Sequence, residues 1–185
     1  MLPFSRSCRL VGLLVLAVTP GGCSKHPRAP SLAPETVYQN DKIGLRFLAP
    51  DGWPMAARAD LPAGALTKPI VLVTYLQSQA SRPAEFQLMA VDLPVDTDLA
   101  QYLAEHQIGS GKWAINQAPE SVTIHGETAI RYAMSRGSAK SEVRREATVF
   151  RRGGRAFFFI VTFGTTDTER RDQVRKSVES VTWSK

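Results

Sequence analysis

The chain has 185 residues, 43% of them hydrophobic and 22% charged, an ordinary globular balance that excludes disorder for most of its length. Its 23 basic residues against 17 acidic ones give a net charge of +6, which is only mildly basic. Two cysteines, Cys8 and Cys23, are too few and too close to the N-terminus for a disulfide framework.

Arg6 and Arg9 precede an apolar run of nine residues, Leu10 to Val18, followed by Thr19-Pro20-Gly21-Gly22-Cys23-Ser24. A stable transmembrane helix needs about 20 apolar residues, so the run reads as a targeting segment and not as a permanent span. The layout resembles a bacterial lipoprotein signal, in which a peptidase cuts before the cysteine and that cysteine is acylated. Gly21-Gly22-Cys23 matches the last three places of that box, and Pro20 departs from the aliphatic residue usual there. Lipid attachment at Cys23 is the first reading, with ordinary cleavage and release as the alternative. Cleavage after residue 22 leaves 163 residues, a net charge of +4 and Cys23 as the sole cysteine, so no internal disulfide is expected. The domain plan is therefore a signal at 1–22, a tether at 23–36 and one folded domain at 37–185. The tether carries Pro27, Pro30 and Pro34. At about 3.1 Å per residue, a proline-rich stretch of this length reaches roughly 40 Å.

The folded part begins with strands at Val37 to Gln39 and Ile43 to Leu48, joined at Asn40-Asp41-Lys42, where Ile43, Leu45 and Phe47 alternate with Gly44 and Arg46. Pro50-Asp51-Gly52 is a turn signal. A surface excursion rich in Pro, Ala and Gly is expected from Pro54 to Pro69, then strands at Ile70 to Leu76 and Phe86 to Leu93, with a polar loop around Ser81-Arg82-Pro83 between them. Leu99, Tyr102, Leu103 and His106 have helical spacing, with Asp96 or Thr97 as the expected cap, Gly109 as the stop and His106 explained by the helix dipole and core packing. The stretch from Ser110 to Glu120 reads as irregular.

Four strands follow, at Val122 to Ile124, Thr128 to Ser135, Glu142 to Arg151 and Arg155 to Phe163. Gly153-Gly154 joins the last two in a tight hairpin. Phe157-Phe158-Phe159-Ile160-Val161 is apolar on both sides, so this strand belongs near the centre of a sheet covered on both faces. A final helix starts at Thr166-Asp167-Thr168-Glu169, which matches a capping box with Thr166 as cap, and buries Val174, Val178 and Val181, with Trp183 as a core plug beyond its end.

The order of elements resembles the superfamily shared by the photosystem II extrinsic protein PsbP and the Mog-type import factors. The resemblance rests on Tyr38, Gly44 to Phe47, Pro50 to Trp53, Gly126 to Ala129 with Tyr132, Arg155 to Phe163, Ser180 and Trp183, across roughly residues 37 to 183. It implies an α+β fold, an antiparallel β-sheet covered by helices on both faces in an α/β/α sandwich. It also implies a binding or assembly factor and not a catalyst. Each landmark is a turn or core residue, so no family site maps onto this chain and the photosynthetic role does not transfer.

Catalytic signatures are weak. There is no G-x-S-x-G elbow, His125-Gly126-Glu127 lacks the P-C-x-x-C a zinc deaminase needs, and Gly109-Ser110-Gly111-Lys112 lacks the spacing of a phosphate loop. Asp92, Asp96 and Asp98 are expected to serve a helix start in preference to a metal, and no cofactor is implied. Charge is segregated: residues 77–130 hold two basic residues and seven acids, whereas 131–176 hold twelve basic residues and five acids, a net of +7. Arg144, Arg151, Arg152 and Arg155 are the candidate contacts for an anionic envelope component or an acidic protein, although a solvated face near an anionic membrane explains the same charge. Arg145, adjacent to Arg144, must point to the other face of its strand. Nucleic acid is an unsuitable partner, because no aromatics interleave with these arginines. The sequence thus reads as a membrane-tethered, non-enzymatic binding or assembly lipoprotein of the bacterial envelope, leaning to the outer membrane. The alternative is a small-ligand or metal-ion carrier covered by the segment from Pro54 to Pro69.

Overall fold

The computed structural model describes residues 37–58, 61–78, 83–106, 112–138 and 141–184. The expected signal, the tether, Cys23, Ser81-Arg82 and Gly109 lie outside the described residues. The elements in chain order are β1 (Val37–Asn40), β2 (Leu45–Leu48), β3 (Met55–Ala57), β4 (Ile70–Gln77), β5 (Ala84–Asp92), α1 (Leu99–Glu105), β6 (Ala114–Ile124), β7 (Glu127–Arg136), β8 (Val143–Arg152), β9 (Arg155–Gly164), α2 (Thr168–Glu179) and β10 (Thr182–Trp183). They form a seven-stranded sheet of order β3-β4-β5-β9-β8-β7-β6 and a three-stranded sheet of order β1-β2-β10, antiparallel throughout.

The all-apolar run of β9 takes the middle of the large sheet, as its lack of alternation demands. Its odd residues Phe157, Phe159, Val161 and Phe163 join one core cluster, and its even residues Phe158 and Ile160 join a second. The first cluster includes Tyr38, Leu45 and Phe47 of the small sheet and Val174 and Val178 of α2. Phe47 ties the two sheets together, its ring centroid 4.9 Å from Tyr38, 5.5 Å from Phe159 and 5.9 Å from Phe86. The second cluster takes Leu99, Ala100 and Leu103 from α1, and Tyr132 fixes that helix by donating from its hydroxyl to the Leu99 carbonyl at 3.0 Å. The architecture is a mostly antiparallel sheet with two helices. At seven residues, α1 is about 10 Å long and contacts a limited part of its face.

Local chemistry explains where sequence and structure part. Asp98 caps α1, accepting from Ala100 N at 2.9 Å and Gln101 N at 3.0 Å; Asp96 and Thr97 lie two residues and one residue too early. His106 is exposed instead of packed in the core; its Nδ1 meets the Tyr102 carbonyl at 3.0 Å and its ring stacks on Tyr102. Asp167, not Thr166, caps α2, because its carboxylate accepts from Arg170 N and also pairs with the Arg170 side chain. From Ala114 onward the supposedly irregular stretch is β6, an edge strand exposed along most of its length, so burial imposes no alternation on it. Two register shifts and Pro119 interrupt its pairing, the ordinary defences of an open edge. The short β3 likewise hides in the Pro54 to Pro69 segment, all three residues exposed.

Side chains from distant elements close the first core. Trp53 Nε1 donates to Gln173 Oε1 of α2 at 3.0 Å, and Leu48 N donates to Ser180 Oγ beyond its C-terminus at 2.7 Å. Trp183 packs on Phe157 and Phe150 at centroid distances of 4.9 and 6.0 Å. Gly44, at φ +65°, accepts from Ser184 N at 2.7 Å, and a Cβ there would crowd the Ser184 hydroxyl and stand 3.1 Å from the Ser184 carbonyl oxygen, so that Ser184 would have to shift.

Candidate functional site

The arginines expected to act together are held by different partners on different faces. The register of β8 places Arg144, Glu146, Thr148, Phe150 and Arg152 on the α2 side of the sheet and Arg145, Ala147, Val149 and Arg151 on the α1 side. Arg151 therefore faces away from Arg144 and Arg152, and its guanidinium donates to the carbonyls of Pro94 and Thr97 at 2.9 Å each and to that of Leu93 at 3.5 Å, strapping the loop before α1 to the sheet. Arg155 grips Asp92 through Nε at 2.6 Å and a terminal nitrogen at 3.1 Å. That pair, together with the Leu66 amide at 2.7 Å from Asp92, holds the Asp92 carboxyl below the usual carboxylate range despite partial burial. Arg152 sits 5.1 Å from the centroid of the Trp183 ring and 3.7 Å from Glu127.

Arg145 and Arg136 lie over the Trp113 ring at 4.1 and 4.7 Å, and Arg145 Nε donates to Thr162 Oγ1 at 3.2 Å. Burial first and the charge of Arg136 second push the Arg145 guanidinium down to about 10, against the opposing influence of Glu85 and Tyr132. Asp92 and Asp98 are engaged by Arg155 and by the α1 cap. Among the described residues, no group of three or more His, Cys, Asp or Glu has the placement to hold a metal ion.

Of the expected arginines, Arg144 belongs to a constellation that sequence spacing did not bring together. Glu146 is 6% exposed, and its Oε2 receives both Nε and a terminal nitrogen of Arg175 from α2, each at 2.9 Å. Its other oxygen, Oε1, is buried without a hydrogen-bond partner and stands 3.9 Å from Arg144 Nε, which is buried and unpartnered too. Across the β7–β8 ladder, Arg131 donates to Thr148 Oγ1 at 3.4 Å and lies 3.8 Å from the exposed Glu179 of α2. A cavity of about 10 Å³, room for one oxygen-sized group, is lined by Arg131, Glu146, Thr148, Arg175 and the apolar side chains beneath α2. The guanidinium groups of Arg175 and Arg144 thus flank a buried carboxylate, at 2.9 and 3.9 Å. The sequence signal was the polar run of Arg144, Glu146 and Thr148 at period two, but Arg131 and Arg175 come from other elements.

A second concavity, a groove of about 420 Å³, runs between β1 and β3, which are edge strands of the two sheets, and is lined by residues 37–42 with Met55, Ala57 and Arg58.

No family model and no curated protein matches the chain. Solved structures do. The solution structure of cyanobacterial PsbP from Synechocystis superposes with a TM-score of 0.57 at 13% identity, over 84% of this chain and 97% of that one. The fold is PsbP-like. The crystal structure of LpqN, involved in cell envelope biogenesis of Mycobacterium tuberculosis, is similar at a TM-score of 0.48 and 14% identity, covering 84% of this chain and 88% of that one. A Pseudomonas aeruginosa protein of unknown function gives 0.43 at 15% identity, covering 78% and 93%. In the PsbP-like domain the landmarks Phe47, Trp53, Ser180 and Trp183 all serve packing or hydrogen bonds between elements, so the similarity accounts for the fold alone.

Proposed function

We propose that the protein is a membrane-tethered, non-enzymatic binding or assembly lipoprotein of the bacterial cell envelope, acylated at Cys23, with residues 23–36 as its tether and 37–185 as its single domain, an α/β/α sandwich. The observation that carries this reading is the run from Arg6 and Arg9 through Leu10 to Val18 into Gly21-Gly22-Cys23. The PsbP-like fold supports it as a scaffold, and so does the engagement of Arg151, Arg152 and Arg155 in contacts that build the domain. The domain faces the periplasm, with the outer membrane favoured because Ser24, and not Asp, follows the cysteine. Its partner is anionic, either an envelope component or an acidic protein.

Fractionation of cells making the wild-type and Cys23→Ala chains, with crosslinking before lysis, tests this function. The wild type is expected to partition with membranes and Cys23→Ala to leave them while keeping its crosslinked partner. An unchanged distribution of the Cys23→Ala chain contradicts the tether. The groove between β1 and β3 favours a second reading, a small-ligand carrier, because its volume lies in the range of ligand sites and Met55, Ala57 and Arg58 from the Pro54 to Pro69 segment form one wall.

A further inference from the structure

The groove between β1 and β3 follows the edge of one strand and the face of the other. Residues 37–42 line it without a gap, odd and even alike, whereas β3 contributes Met55 and Ala57, which share a face, followed by Arg58. Successive strand residues point to opposite faces, so an unbroken run marks an edge and an alternate pair marks a face. β1 pairs with β2 alone, which leaves the N–H and C=O groups of every second residue directed away from β2, on the side of the groove. Met55 and Ala57 stand opposite Tyr75 and Val73 in the β3–β4 ladder and therefore share their face, the one that the small sheet covers at Tyr75 through Phe47. That cover stops at β1: Tyr75 is fully buried, while Met55 is 50% exposed and Ala57 is exposed too. The groove thus has the position of one more strand of the small sheet, beside β1 and over β3.

We propose that an extended segment of an acidic protein adds to β1 as a fourth strand of the small sheet, with its inward side chains apolar and resting on Met55 and Ala57. Main-chain bonds to β1 supply the affinity and the floor of β3 supplies the choice of side chain, as in other strand additions to an open sheet edge. The four residues of β1 span about 14 Å, so the added segment engages about four residues. Charge selects the occupant. Lys42 and Arg58 are exposed in the lining, and its one acid, Asp41, accepts from Gln39 Nε2 at 2.7 Å, so the groove is net positive on a chain that is itself +6. A second copy brings the same charges. Residues 24–36, which lead directly into β1, carry Lys25 and Arg28 against Glu35 and are interrupted by Pro27, Pro30 and Pro34, a poor strand for this edge. The inference rests on the binding-module reading above and gives its anionic partner a form, an acidic protein extended at the contact.

The membrane-extracted full chain in detergent micelles is titrated by fluorescence polarisation with three short, capped and labelled peptides: one of alternating valine and glutamate, its valine–lysine counterpart, and the glutamate peptide N-methylated at every amide. The glutamate peptide is expected to bind at least about tenfold more tightly than either of the others, because lysines meet like charge at Lys42 and Arg58 and a methylated backbone has no N–H to give β1. At saturating peptide, hydrogen exchange is expected to slow in residues 37–40 and to stay unchanged in β6, the open edge at the far side of the large sheet. Met55→Glu and Arg58→Glu, both at exposed positions, are expected to weaken binding at least about tenfold while leaving the urea unfolding midpoint where it is. Equal affinity for the two charged peptides, or binding that survives methylation, overturns the proposal. Binding of none of the three overturns it too and leaves the groove to the small-ligand reading. Self-association of the chain that Met55→Glu removes overturns it in favour of a second copy. Because none of these results touches Cys23 or the partition of the chain with membranes, failure here is distinguishable from failure of the tethered-module reading.

Discussion

Replacing Asp92 tests how the segment from Pro54 to Pro69 is fastened to the sheet. Asp92 ends β5, and its carboxylate takes two N–H groups of Arg155, at 2.6 and 3.1 Å, and the amide of Leu66 at 2.7 Å, while its own amide donates to the Leu66 carbonyl at 3.0 Å. Leu66 is 3% exposed, so this acid anchors a core residue of an otherwise exposed loop. Hydrogen bonds to charged groups contribute about 1.5–3 kcal/mol. With the two side chains 23% and 29% exposed, solvent screening reduces the Arg155 pair to about 1–2 kcal/mol. The orphaned Leu66 amide adds about 1 kcal/mol, so Asp92→Ala is expected to cost about 2–3 kcal/mol, a large share of the roughly 5–15 kcal/mol that stabilises a domain. Asn at this position keeps an acceptor for Leu66 and loses the ion pair, at about 1–2 kcal/mol.

The cost must also depend on pH with a definite sign. Because the folded pKa of Asp92 is lowered, chiefly by its hydrogen bond from Arg155, its ionisation stabilises the protein fully above the unfolded value of about 3.9 and ceases to do so as pH falls through the folded value. Urea unfolding of wild type and Asp92→Asn at pH 7, 5 and 3 should show a constant gap between the first two conditions and a smaller one at the third. A cost below about 0.5 kcal/mol for Asp92→Ala, or a gap that persists undiminished at pH 3, refutes the reasoning.

Gly44→Ala should cost about 2 kcal/mol or more, because left-handed strain adds to overlap with Ser184, whereas Gly153→Ala meets nothing within 4 Å and should cost about 1 kcal/mol; equal costs in urea unfolding would remove the close approach from the account. Phe159→Ala, at 1% exposure and in contact with Phe47, Phe86 and Phe150, is expected to lose about 3–5 kcal/mol, read from the same unfolding curves. Arg151→Lys should raise hydrogen exchange around α1 almost as much as Arg151→Ala, since an ammonium cannot span the carbonyls of Leu93, Pro94 and Thr97; full protection in the lysine variant counts against the strap.

The parts of this fold that were legible in sequence are those where burial imposes a pattern. Phe157 to Val161 announced the central strand because both its faces are covered, and Gly153-Gly154 announced its hairpin because both residues take positive φ. The edges were not legible for the converse reason: β6 and β3 are exposed, so Ala114 to Glu120 carries no alternation and Met55 to Ala57 no apolar stripe. The caps missed by one or two residues because Thr166, Asp167, Asp96 and Asp98 share the same capping chemistry, and only the backbone geometry selects among them. For the candidate site, period two separated Arg145 from Arg144. It could not foresee that Arg151 and Arg155 would turn to Pro94 and Asp92, or that Arg175, 29 residues along the chain, would return to Glu146.

The account rests most heavily on Cys23, and intact mass spectrometry of the membrane-extracted protein, expressed with its own leader beside a Cys23→Ala control, tests that residue directly. The tethered reading predicts a chain beginning at Cys23 whose mass includes diacylglycerol, absent from the control. A chain cut elsewhere and carrying no lipid contradicts it, makes this a released PsbP-like domain, and moves the small-ligand carrier reading to the front.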